Sequence, residues 1–334
     1  MLTEKSKESL LQNGYIIFAS DYGKKAVAES WTVRLKKQVK QIDQFKPFQN
    51  YNIVTGGISL TVDVDLDCDE TRLLADSFLV PTASMFGRES TPKSHRLYKV
   101  IDLTKKHTRV FWDFKGATES MLVEMRANDH YTMCGGQYDN QEKVVWTSDG
   151  KPTEITYDAL FKSCAKLAVA SVLLRKSPMP GAKMRNEYWK LAIASMWYGK
   201  VEEEDCIQIV EAVTTAHDDD VKERLGRVHD IYKRDATEQL EGLPTLAEKF
   251  NWKNDEVKDF KKLLLKITGR HLLPTYTGEF VKRIAYMMKQ KKYYDLEDKE
   301  MYDGESIDIK YAKDFDGKYT PLKFWKLHKD RKVC

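Results

Sequence analysis

The chain has 334 residues, 42% of them hydrophobic and 32% charged, with a net charge of +4. That balance excludes an intrinsically disordered polymer, gives ample material for more than one core, and is too mild to mark a nucleic-acid binder by its total alone. No apolar run reaches membrane-spanning length and MLTEKSKESLLQNG carries no hydrophobic signal core, so a cytoplasmic protein with no membrane partner is expected. The five cysteines, Cys68, Cys134, Cys164, Cys206 and Cys334, have no paired spacing, which argues against a zinc knuckle or a disulfide framework.

The first half reads as mixed α and β. YIIFA near Tyr15 is a strand, and Thr32 caps a helix through VRLKKQVKQIDQF, with Val33, Leu35, Val39 and Ile42 as its apolar face. YNIVTGG and ISLTVDVD follow as two β-rich runs split by glycines, then a short helix over ETRLLADSF. Further strands are predicted in TASMFG, HRLYKV, RVFWDF, SMLVEMRA, HYTMCGG and KVVW. From ITYDALFKSCAKLAVASVLL the pattern is helical, broken at LLRKSPMPGAK by two prolines and Gly181. Three helical periods come next, the first ended by Gly199 and the third capped by Asp218. TLAEKF, a basic helix around Val257 to Ile267, and a strand-and-turn section, ESIDIKYAKDFDGKYTPLKFWKL, complete the chain. The fold class is therefore α+β, a mixed-sheet domain followed by a small α-helical bundle.

The stretch TVDVDLDCDE sets acids at Asp63, Asp65, Asp67 and Asp69. On a strand Asp63, Asp65 and Asp67 point one way while Val62, Val64 and Leu66 enter a core. Aspartate is a poor strand former and clustered carboxylates repel, so a cation between them is the expected reason for the pattern, with a solvated face as the bland alternative. An EF-hand does not fit, since Cys68 stands where glycine is needed and Leu74 where glutamate is needed. Two-metal phosphoryl transfer needs a third carboxylate from a neighbouring strand, and SMLVEMRAND offers Glu124. Between them, FGRESTPKSHRLYKV concentrates Arg88, Lys93, His95 and Arg96, donors suited to a triphosphate.

In order, VDVD, PKSH and LVEMR resemble the three motifs of the archaeo-eukaryotic primase superfamily, in particular the primase-polymerases of phages, plasmids and other mobile elements. TGGISLTVDVDLD, PTASMFGRESTPKSHRLYKV, the helical module after Gly181 and EGLPTLAEKF extend the resemblance. One departure is that Ser94 adjoins His95 directly, where the family motif usually has a residue between. The resemblance implies an RRM-like prim-pol catalytic domain over 1–175, a helical bundle over 176–252 and an extension over 253–334. It also implies a DNA-directed nucleotidyltransferase that makes and extends primers on single-stranded DNA in a bacterial, archaeal or phage-infected host cytoplasm. Asp63, Asp65 and Glu124 would hold two Mg²⁺ or Mn²⁺ ions, with Asp65 and Asp67 as the alternative pair. His95 would serve the catalysis, binding with Arg88, Lys93 and Arg96 the phosphates of an incoming NTP or dNTP. Arg185, Lys222, Arg224 and Arg227 would contact nucleic acid from the bundle. TPLKFWKLHKDRKVC resembles a linker to a replicative helicase, fused or acting in trans. A metal-dependent nuclease and a non-catalytic single-strand-binding replication protein stay open as alternatives, since paired acids suit the first and basic helices the second.

Overall fold

A computed structural model of the chain describes residues 7–20, 50–115, 120–138, 141–179, 181–234, 240–268, 284–287, 292–295 and 300–302. It is a mixed α and β protein with eight helices among the described residues and largely antiparallel sheets. The helix expected after Thr32 and the tail TPLKFWKLHKDRKVC lie outside the described residues.

The main sheet has the order β6-β7-β3-β5-β4-β9: Val110–Asp113, Met121–Arg126, Thr61–Leu66, Thr91–Val100, Ser84–Arg88 and Val144–Asp149. These pairs are antiparallel; β10 (Thr153–Ile155) joins β5 in parallel. A smaller sheet, β1-β2-β8, is built from Ile17–Ser20, Asn50–Thr55 and His130–Gly135. It packs with the preceding helix α1 (Lys7–Gln12) on one face of the main sheet, where Leu10, Tyr15, Ile17, Ile53 and Met133 meet Phe86, Leu97 and Trp146.

The other face carries helices. Val62, Val64 and Leu66 of β3, Tyr98 of β5 and Trp112 of β6 are buried there against α2 (Asp69–Phe78) and α3 (Tyr157–Lys176). The β3 strand is thus covered on both faces, which is why all its residues are buried despite their polar alternation. Helix α3 is buried around most of its circumference, as a central helix must be. Beyond it α4 (Arg185–Tyr198), α5 (Glu203–Ala216), α6 (Val221–Tyr232), α7 (Leu243–Lys249) and α8 (Asn254–Ile267) extend the same core. One cluster of buried residues runs through the sheet and the helical module, and residues 1–269 form one compact unit.

Residues 270–334 form the second unit, in which β11 (Ile284–Met287), β12 (Lys292–Asp295) and β13 (Glu300–Tyr302) pair as an antiparallel meander. Gly199 ends α4 as expected, but Asp220, not Asp218, caps α6, accepting from the Glu223 amide at 2.9 Å. Asp218 stands two residues too early for that geometry, with φ at 52°. Among the described residues no helix is long and apolar enough to cross a membrane.

Candidate active site

The alternation of β3 directs Asp63 and Asp65 away from the helices and toward the smaller sheet. Cross-strand register then sets Asp65 opposite Glu124 of β7 on one side and opposite His95 of β5 on the other. The row continues in both directions: Phe111 of β6 is opposite Glu124, and Phe86 of β4 opposite His95 with Trp146 of β9 beyond. Directly opposed residues share a face, so one transverse line runs Phe111, Glu124, Asp65, His95, Phe86, Trp146. His95 stacks on Phe86 with ring centroids 4.6 Å apart and planes at 4°, which fixes the imidazole.

The acids divide into two groups. Asp63 is fully buried; its carboxylate accepts from His95 Nδ1 at 3.0 Å and from Arg126 Nη1 at 3.1 Å. Because a carboxylate only accepts, Nδ1 carries the proton and Nε2 is turned toward Asp65, 3.6 Å away. Asp65, Asp67 and Glu124 form the second group, with one oxygen of each within 4.8 Å of the others. Of the two alternative pairs, the convergent one is thus Asp65 with Asp67, while Asp63 holds His95 and Arg126.

Sequence reasoning missed the residue at the centre. The Arg126 guanidinium donates to Asp65 at 2.5 Å, to Glu124 at 2.9 Å and to Asp63, so one cation serves three carboxylates. Its position two residues after Glu124 on the same strand is a sequence signal that the two share a face. Arg109 also donates to Glu124.

This network sets the protonation states. Burial alone would raise the Asp63 pKa, but His95 and Arg126 bring it below the ordinary value. Glu124 is likewise lowered, burial being outweighed by Arg109 and Arg126. Burial would lower the His95 pKa, and the charges of Asp65 and Asp63 reverse that, so the imidazole holds its proton more tightly than usual. Asp67 goes the other way: burial and then the Asp65 charge push its pKa up to about 7. Its Oδ2 is buried with no hydrogen-bond partner.

Asp65, Asp67, His95 and Arg126 open on a cleft of about 490 Å³, lined also by Arg72, Arg88, Ser90, Thr91, Ser94, Arg109, His130, Thr132 and Tyr138. Gly87 shapes its rim, since a Cβ there would sit 2.0 Å from the Thr91 carbonyl and 2.8 Å from Ser94 Oγ. Arg88, itself part of the cleft lining, lies over the Tyr138 ring at 4.3 Å. Two of the expected phosphate ligands are elsewhere. Arg96 alternates with His95 along β5, so it faces the helices and pairs with Asp76 at 2.7 Å. Lys93 is exposed and outside the cleft lining. In the helical module, Arg185 and Arg224 are committed to Asp219 at 2.7 and 3.0 Å, while Lys222 and Arg227 line a separate groove.

The donor set fits a hard divalent cation. Carboxylate oxygens are the ligands Mg²⁺ and Mn²⁺ favour, three converge, and the buried Oδ2 of Asp67 has no other partner to supply its lost hydration. The guanidinium of Arg126 meets the same requirement for positive charge. A scan of the chain against protein-family models and a search of curated proteins found no match.

Proposed function

We propose that the chain is a DNA primase-polymerase that makes and extends primers on single-stranded DNA by metal-dependent nucleotidyl transfer, serving the replication of a phage, plasmid or other mobile element. The observation that carries the reading is the transverse row: Asp65, Glu124 and His95, drawn from three separated stretches of sequence, are directly opposed on adjacent strands. A nuclease needs the carboxylates but has no need to grip a free triphosphate, and the cleft provides Arg88 and a proton-bearing His95 beside them.

In this reading Asp65, Glu124 and Asp67 hold Mg²⁺ or Mn²⁺, which when bound neutralises phosphate charge and makes the attacking hydroxyl a better nucleophile. Asp63 keeps the His95 ring oriented, and His95 Nε2 and Arg88 donate to phosphate oxygens of an incoming NTP or dNTP. The 3′-oxygen of the growing strand forms a bond to the α-phosphorus. The bond from that phosphorus to the β-bridging oxygen breaks, pyrophosphate leaves with the electron pair, and the hydroxyl proton passes to water. Positioning and charge neutralisation carry such a reaction.

The test is incorporation of labelled ATP and dATP on an unprimed single-stranded template with Mg²⁺ or Mn²⁺. Products that grow in steps of one nucleotide are expected. Cleavage of the template with no incorporation would replace this function by a nuclease. Salt-sensitive binding without either reaction would replace it by a single-strand binder.

A further inference from the structure

The row of opposed residues has a direction. On one side of Asp65 and Glu124 stands His95, which shares the cleft with Arg88, the groups assigned above to the triphosphate; on the other side stands Phe111, with Arg109 against it. Phe111 lies on the edge strand of the main sheet and is 37% exposed, although it shares a face with the buried Glu124. Arg109 donates to Glu124 and lies over the Phe111 ring at 4.2 Å, so the pair is tied to the carboxylates. Lys266 of α8 donates to the Phe111 carbonyl and holds the backbone at that point.

An in-line displacement requires the attacking oxygen to approach the α-phosphorus from the side opposite the leaving pyrophosphate. With the triphosphate at the His95 end, the attacking strand enters from the Phe111 end. We infer that Phe111 and Arg109 form the seat of the strand that carries the 3′-hydroxyl, with Phe111 stacking on its terminal base and Arg109 close to its last phosphodiester. An exposed aromatic ring beside a guanidinium is the pairing that binds single strands without sequence preference. The inference rests on the proposed nucleotidyl transfer and deepens it.

The experiment compares wild type, Phe111→Ala and Phe111→Trp on a primed template whose primer ends in 2-aminopurine, reading base fluorescence on binding and the KM values for primer and for nucleotide. Wild type and Phe111→Trp are expected to quench the terminal base. Phe111→Ala is expected to lose the quenching and raise the primer KM about tenfold, or about 1.4 kcal/mol, while the nucleotide KM stays within about twofold. Because Phe111 is only 37% exposed, the melting temperature of each variant is measured alongside, and Phe111→Leu provides a second variant that keeps bulk without stacking. If wild type extends primers and Phe111→Ala does so with an unchanged primer KM, the seat is refuted and the polymerase reading stands. A rise confined to the nucleotide KM assigns the ring to the incoming base and also refutes it. Absence of any extension by wild type overturns both.

Discussion

Replacing Arg126 by methionine keeps much of the side-chain volume and removes the one cation shared by Asp63, Asp65 and Glu124. Breaking a buried ion pair by deleting one partner costs about 3–5 kcal/mol, because the remaining charges stay in a poorly solvated place. At about 2–4 °C per kcal/mol for a unit of this size, the melting temperature in EDTA should fall by roughly 6–20 °C. The same variant makes a second demand. If the guanidinium and a divalent cation satisfy the same carboxylates, Mn²⁺ should stabilise Arg126→Met more than it stabilises wild type, since the one cation bonded to both Asp65 and Glu124 no longer competes for their oxygens. Thermal melts in EDTA and in a Mn²⁺ series measure both effects, the increment following RT ln(1 + [L]/Kd). The reasoning fails if the variant melts with wild type in EDTA, or if Mn²⁺ raises both proteins by the same amount.

Three further outcomes follow from the geometry. Arg88→Ala should raise the nucleotide KM about tenfold, as loss of a charge-assisted phosphate contact does. Arg96→Ala should instead destabilise the protein by about 1–3 kcal/mol in denaturant titration, mainly through lost packing of a buried side chain, since its partner Asp76 is exposed, and leave that KM unchanged. Asp65→Asn and Glu124→Gln should each abolish incorporation while the circular dichroism spectrum is retained; turnover near the wild-type rate in either would contradict the assignment. Asp219 is held at a pKa of about 2, because hydrogen bonds from Arg224 and Arg185 outweigh its burial. Its unfolded pKa is higher, so the stability it supplies is present above about pH 4 and is lost as the pH falls toward about 2, roughly 1–2 kcal/mol after screening. Asp219→Asn should therefore flatten the stability profile between those pH values, measured by urea midpoints, and a profile as steep as that of wild type would refute the role.

The legible part of this protein is the part that period and punctuation encode. Val62, Val64 and Leu66 alternate with Asp63 and Asp65, and that alternation alone separates the helix-facing side of β3 from the cleft side. The apolar run of α3 and the stop at Gly199 are equally direct. A run of basic residues is less informative, because neighbours on a strand face opposite ways. His95 reaches the cleft and Arg96 the helices, and only the register of β5 with β3 says which. The three consecutive aspartates before α6 offer equivalent capping side chains, and the turn geometry selects the last. Arg126 was within reach as the second residue after Glu124. Arg109 and Phe111 were not, since their value comes from β6 pairing with β7 at the edge of the sheet, a long-range choice that no local pattern announces.

The central claim is that carboxylates from β3 and β7 hold divalent cations next to a pocket for a nucleotide triphosphate. Calorimetric titration of a non-hydrolysable ATP analogue, with Mn²⁺ and without it, addresses this in wild type, in the Asp65→Asn, Glu124→Gln double variant and in His95→Ala. The account predicts one nucleotide bound per chain by wild type only when Mn²⁺ is present, with affinity falling at least about tenfold in each variant, or about 1.4 kcal/mol. Binding of equal strength without metal, or undiminished in the double variant, would contradict it.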